Sequence, residues 1–306
     1  MIYSKTNQSY SGQNCRCISI ADIGFSITVD NSAVGMVDEG ADYNAFISSF
    51  SVPDVKIDSR YNGIPDTEFA DSDLIFDSEG SWALYGKNGN CYIAQRDNDE
   101  TREIYTLSVF NDRFTEGTIH TMPRDSERLY ANSRLPYPLD YPLGELVLIS
   151  LLSQGRGIMA HACGIDDNGS GYLFIGQSGA GKSTMAQLWN DSATILNDDR
   201  IIIRENDGRL QLYPTPWHGD FPKVTARGAA LSKVFFISHA QENFIRRLAP
   251  SHALKKLLAC SFMPQWDRSG IEYSLSFCER IVQSVPCYAL GFAPDNSITG
   301  FVRCAE

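Results

Sequence analysis

The sequence predicts an α/β domain preceded by a β-rich region. Three observations carry that expectation. An apolar strand at residues 172–175 runs straight into a glycine-rich loop, which opens into a helix over 182–189. On both sides of this unit, short strand-like runs alternate with helical spacing. Upstream, residues 1–135 hold strand alternation and turn signals instead.

In the first region, residues 24–29 (Gly-Phe-Ser-Ile-Thr-Val) alternate as a strand. Residues 82–85 and 91–94 flank Lys87-Asn88-Gly89-Asn90, a hairpin with an Asn-Gly turn. Residues 104–110 form a further strand. The stretch 54–79 is dense in Asp, Ser, Gly and Pro and reads as loop or irregular strand. Between Arg134 and Pro142, the prolines Pro136, Pro138 and Pro142 exclude a regular helix, which makes this a linker. The predicted domains are therefore 1–135 and 136–306.

In the second region, 143–152 reads as a helix, 158–164 as a strand, 166–171 as a turn and 172–175 as the strand feeding the loop. Strands follow at 193–197 and 200–204, then a tight Asp207-Gly208 turn into 209–213, then a strand at 233–238. Residues 251–262 and 270–285 have helical spacing, with Ser251 as the expected N-cap. A strand at 287–292 closes the pattern.

Composition narrows the function. A 306-residue chain with 43% hydrophobic residues can bury a sizeable core. The net charge of -11 and the lack of a Lys/Arg cluster argue against nucleic acid as partner. The acidic excess serves solubility or suits a basic partner. No apolar run is long enough to cross a bilayer, and Met1 to Gln8 shows no signal-peptide pattern, so a cytoplasmic location and no membrane partner are expected. The eight cysteines lack zinc-site spacing and read as free thiols, although Cys15-Arg16-Cys17 could bind metal or react.

The strongest motif is Gly176-Gln177-Ser178-Gly179-Ala180-Gly181-Lys182-Ser183-Thr184. It fits the Gly-x4-Gly-Lys-Ser/Thr pattern of a phosphate-cradling loop, in the required strand–loop–helix setting. Glycines let backbone N–H groups turn inward around phosphates. The helix starting near Lys182 adds unpaired N–H groups and the positive end of its dipole. Lys182 would place a cation on the β- and γ-phosphates, and Ser183 a hydroxyl on Mg²⁺. ATP and Mg²⁺ are the expected cofactors. The alternative is a glycine-rich turn that binds nothing.

Two further features stand near the loop. Asp198 and Asp199 fall between two apolar strand segments. Adjacent residues in extended chain point to opposite sides, so one carboxylate can face a metal and the other an acceptor hydroxyl. The alternative is a polar turn. His161 lies within an apolar strand and would neighbour the loop strand. Its alternative is a hydrogen-bonded core histidine.

His161-Ala162-Cys163-Gly164, the Gly176–Ser183 loop and the Asp198-Asp199 pair together resemble the HPr kinase/phosphorylase family, within the phosphoenolpyruvate carboxykinase-like superfamily. The resemblance spans roughly 138–300. It implies a P-loop-containing carboxykinase-like domain, here with the β-rich N-terminal region added. Residues 213–220 resemble the Thr-Pro-Trp segment of HPr-kinase-related proteins, some of which tailor peptides. The resemblance implies Lys182 on the phosphates, Ser183 on Mg²⁺ and Asp199 as general base toward a serine hydroxyl. Asp198 would bind the metal or orient His161, and the two aspartates could exchange roles. Trp217, His218 and Arg227 are further candidates for the acceptor site, with plain loop roles as the alternative. Gln177 stands where HPr kinases usually carry Asp, and their later glycine-rich, glutamate-bearing signature has no match after Asp220.

The expected activity is transfer of the γ-phosphoryl group to a hydroxyl of a peptide or protein. A small-molecule hydroxyl kinase and a nucleotide-binding module without transfer are the alternatives. The N-terminal region would dock a peptide strand on a sheet edge, or support the fold or a homo-oligomer.

Overall fold

The computed structural model describes residues 14–33, 37, 40–65, 72–97, 102–122, 135–222, 225–295 and 297–305. The expectations placed on Met1 to Gln8 and on Arg134 lie outside them. The chain divides into two compact units. One comprises Met1–Ser19, Ile23–Gly40 and Ile47–Leu143; the other comprises Ile20–Asp22, Ala41–Phe46 and Gly144–Glu306. Among the described residues the architecture is mixed α/β, with two eight-stranded sheets.

The first sheet holds β1 (Cys15–Ile20), β2 (Ile23–Val29), β3 (Val55–Arg60), β4 (Asp73–Asp77), β5 (Trp82–Lys87), β6 (Asn90–Arg96), β7 (Ile104–Asn111) and β8 (Glu116–Thr121). Their order is β1-β2-β3-β8-β7-β6-β5-β4. The hairpin at Asn88-Gly89 forms as expected, with φ of 52° and 78° at the two turn residues, the left-handed pair of a type I′ turn. The stretch 54–79 differs from expectation. It supplies the edge strand β4 and the interior strand β3, which pairs in parallel with both β2 and β8. Val55, Ile57 and Ser59 alternate inward, so a period of two is present but masked by the surrounding Asp, Gly and Pro.

From Leu143 onward the chain forms α1 (Leu143–Leu152), β9 (Ile158–Asp167), β10 (Ser170–Ile175), α2 (Lys182–Trp189), β11 (Thr194–Asn197), β12 (Arg200–Asn206) and β13 (Arg209–Pro214). Then come β14 (Ala229–His239), β15 (Phe244–Arg247), α3 (Pro250–Leu258), α4 (Arg268–Ser284), β16 (Cys287–Phe292) and α5 (Ser297–Arg303). The strand β15 and the helix α5 were not anticipated from sequence. Strand β10 lies between β9, its antiparallel hairpin partner, and β14, which runs parallel to it. The long strand β9 also pairs with β12 through Ile158 to His161, so it serves two sets of partners along its length.

Strand β10 is covered on both faces. Leu173 and Ile175 join one buried cluster with Phe277, Ile281 and Leu257 of the helices α3 and α4. Tyr172 and Phe174 join the other with Met185, Trp189, Ile298 and Val302 of α2 and α5. Burial on both faces is why this segment reads as a continuous apolar run. Phe174 stacks on Phe235 at 5.2 Å between ring centroids, and Phe235 on Tyr288 at 5.4 Å. These stacked rings tie the strand that launches the loop to its parallel neighbour β14 and, beyond it, to β16.

Ser251 is not the N-cap of α3. Pro250 occupies the first turn, and the capping position is Ala249, without a side-chain bond. Proline suits that position because its missing N–H would be unpaired there anyway. The helix also ends at Leu258, earlier than its spacing suggested. The following residues run beside β9 instead: His161 N–H donates to Cys260 O at 2.7 Å, and Phe262 N–H to Met159 O at 2.9 Å. All eight cysteines are free thiols. Among the described residues, no helix is long and apolar enough to cross a membrane.

Candidate active site

The loop leaves the carboxyl end of β10, where parallel strands commonly place ligand sites. Gly179 and Gly181 adopt φ of 79° and 99°, a region that favours glycine. A Cβ on Gly181 would also lie 2.6 Å from the Phe292 ring. Ala180 N–H donates to Gln177 O at 3.0 Å, which closes the tight turn. The Lys182 ammonium is almost fully buried and donates to Gly176 O at 3.0 Å and Gln177 O at 3.2 Å. Burial lowers its pKa, while Cys260, Cys163 and Asp198 pull the other way. An anion added at this point would restore favourable charge around the ammonium.

Register brings His161 to the same place. Ala162 is opposite Ile175, the last residue before the loop, and His161 is opposite Arg200 on β12. Ala162 N–H donates to Asp199 O at 3.0 Å, which ties the β11–β12 break to β9. One cleft of about 340 Å³ is lined by His161, Lys182, Ser183, Asp198, Asp199 and Asp220, together with loop backbone. The sequence-derived residues Gly176, Gln177 and Ala180 line the other side of the loop, facing a second cleft of about 470 Å³. Ser178 and Gly179 border both, and Thr184 borders the first.

The two aspartates are held differently. Asp198 is 1% exposed, and its carboxylate accepts the N–H of Gly219 at 2.8 Å and of Phe221 at 3.1 Å. Asp199 reaches His161 Nε2 through Oδ1 at 2.8 Å, and its Oδ2 is ion-paired with Arg200. The partner of His161 is therefore Asp199, and the expectation that Asp198 might orient His161 is corrected. Burial, and after it the Lys182 ammonium, lower the His161 pKa below its ordinary value. A neutral His161 donating from Nε2 to the carboxylate leaves the Nδ1 lone pair as acceptor.

Asn197 was missed in the sequence. Its Oδ1 accepts the N–H of Asp199 at 2.8 Å and of Arg200 at 2.9 Å, and its Nδ2 donates to Thr215 O and Trp217 O, both at 3.0 Å. It locks the aspartate pair to the 215–217 segment with all four side-chain bonds made. His239 was missed too: its Nε2 lies 2.9 Å from Gly179 O, and it borders both clefts. Of the weaker candidates, Trp217 serves through its backbone and His218 Nδ1 lies 2.8 Å from Gly219 O. Arg227 is exposed and lines neither cleft.

Among the described residues, no cluster of three or more His, Cys, Asp or Glu side chains could hold a metal alone. The donor set fits Mg²⁺ arriving with a polyphosphate, because that ion keeps several waters and takes few protein ligands. Ser183 and a carboxylate of the aspartate pair would then supply the protein's share.

No protein-family model matches the chain, and no curated protein matches it. Among solved structures, the HPr(Ser) kinase/phosphatase from Coxiella burnetii is similar over 47% of this chain and 85% of that chain, at 12% identity and a TM-score of 0.29. A score that low does not equate the two folds.

Proposed function

We propose that this chain is a phosphotransferase that takes ATP with Mg²⁺ and moves the γ-phosphoryl group to a hydroxyl of a peptide or protein. The observation that carries this reading is the shared cleft, where the loop residues Lys182 and Ser183 face His161, Asp198 and Asp199. A binding module needs the loop but has no use for a proton acceptor beside it.

In this reading, the loop N–H groups and Lys182 hold the β- and γ-phosphates in line with the acceptor. Mg²⁺, when bound, neutralises charge on the phosphate oxygens, with the Ser183 hydroxyl as one ligand. The sequence expectation placed the base on Asp199. Both oxygens of Asp199 are paired, whereas His161 Nδ1 has no hydrogen-bond partner among the described residues. We therefore assign the acceptor's proton to His161 Nδ1, with Asp199 orienting the ring. As the O–H bond breaks, the new O–P bond forms and the bond between the γ-phosphorus and the leaving oxygen of ADP is cleaved. The β-rich unit is assigned to acceptor docking.

Transfer of label from γ-labelled ATP tests the acceptor class. Serine-containing peptides encoded beside this gene, free serine and HPr are incubated with the protein and Mg²⁺. Labelled peptide is the expected result. Label on free serine alone would replace the peptide by a small molecule. No label on any acceptor, with ATP still bound, would favour the module.

A further inference from the structure

Strand β1 carries two cysteines that the phosphate site does not use, Cys15 and Cys17. Ile18 and Ile20 of the same strand are fully buried, which fixes its inward face. Side chains alternate along a strand, so Cys15 and Cys17 share the outward face. Cys15 is exposed and Cys17 is half-buried. On the neighbouring strand β2, Ser26 turns toward them. Cys15 Sγ lies 3.2 Å from Ser26 Oγ, and Cys17 has both Cys15 and Ser26 as side-chain hydrogen-bond partners. Two thiols and a hydroxyl thus converge on one open patch of the first unit.

We propose that Cys15 and Cys17 form a two-thiolate site for a soft monovalent cation, Cu(I). The two side chains leave the backbone too far apart for a disulfide. Residues two apart on a strand are separated by about 6.6 Å, with their Cβ atoms side by side. A disulfide instead holds its Cβ atoms about 3.8 Å apart. Closing an S–S bond would therefore pull β1 out of its pleat. A bound ion makes no such demand. With metal–sulfur bonds of about 2.3 Å it spans roughly 4.6 Å between two sulfurs, a distance that side-chain rotation alone supplies.

The number of donors selects the ion. Thiolates favour Cu(I), zinc and iron–sulfur clusters over hard cations. Structural zinc takes four protein ligands, and iron–sulfur clusters are held by several cysteines. Among the described residues, no group of three or more His, Cys, Asp or Glu side chains is placed to hold a metal. The Ser26 hydroxyl is a hard, neutral donor that orients the thiols and leaves the ion to the sulfurs. Cu(I), a d¹⁰ ion stable between two sulfurs in line, matches a two-thiolate set. On binding, two S–H bonds give way to two S–Cu bonds, both protons pass to solvent, and no electron is exchanged. No residue of the phosphate site enters this assignment.

The test is competition of the reduced full chain, kept under argon, against a chromogenic Cu(I) chelator. One tightly held Cu(I) per chain is expected. Cys15→Ser and Cys17→Ser are each predicted to weaken it by roughly 10²–10⁴-fold, because the second thiolate binds at high effective concentration. Cys304→Ser, which removes the other exposed thiol, is predicted to change nothing. X-ray absorption of the copper-loaded wild-type protein is predicted to show two sulfur neighbours and no nitrogen, and it carries the test if a variant fails to fold. Retention that neither Cys15→Ser nor Cys17→Ser weakens, an equal loss in Cys304→Ser, or a copper centre with one or three sulfurs would overturn the assignment. So would a Cys15–Cys17 disulfide found by mass spectrometry in place of bound copper.

Discussion

Replacing Asp199 by Asn lowers phosphoryl transfer by roughly two to four orders of magnitude, the span typical for loss of acid–base function, while ATP binding persists. The cause lies in the two contacts of Asp199. Both partners, His161 Nε2 and the Arg200 guanidinium, donate hydrogen bonds. A carboxylate accepts from both; an amide offers one oxygen and one NH₂ group. Whichever way Asn is turned, one donor faces another donor. If the NH₂ group faces His161, the ring loses the tautomer that leaves Nδ1 free. The expected kinetic signature is a fall in kcat with little change in KM for ATP, because the loop is untouched. Steady-state kinetics with a labelled acceptor check this. Transfer at the wild-type rate in Asp199→Asn would remove the whole proton-acceptor assignment.

Lys182→Ala produces the second large effect, on binding itself. The ammonium is buried against the loop carbonyls of Gly176 and Gln177 and cannot be replaced by a neighbouring cation without rebuilding the cleft. Truncating one partner of a buried, hydrogen-bonded charge pair costs about 2–5 kcal/mol. That corresponds to a roughly 30-fold to more than 1,000-fold weaker affinity for the triphosphate. The fold should survive, since Lys182 sits at the first turn of α2 while Met185, Ala186 and Trp189 carry that helix's packing. Calorimetric titration beside a thermal melt separates the two outcomes. Unchanged affinity in a folded Lys182→Ala protein would contradict the loop assignment.

Much of the second unit was legible in the sequence because its signals are local. The strand at 172–175, the loop and the helix over 182–189 are contiguous, and the strand's end and both ends of the helix match the structure residue for residue. The hairpin turns at Asn88-Gly89, Asn168-Gly169 and Asp207-Gly208 were readable because left-handed backbone needs particular residues. Strand β3 was not legible, because its pairing with β2 and β8 is long-range and its flanks are rich in turn residues. The end of α3 was missed for a similar reason. Helical spacing continues past Leu258, but hydrogen bonds to β9 draw the chain out of the helix.

The site was half legible. Lys182, Ser183, Asp198 and Asp199 follow from motif and order, and His161 from its strand beside the loop. Which aspartate meets His161 was not, because alternation in a strand sets opposite directions without saying which is which. Asn197 left no mark, since an Asn before an acidic pair also reads as a turn residue.

Titration of the wild-type protein with ATP, in the presence and absence of Mg²⁺, tests the central claim most directly. The account predicts one site per chain, tighter with Mg²⁺, and lost in Lys182→Ala. No binding under either condition, or binding indifferent to Lys182, would contradict it.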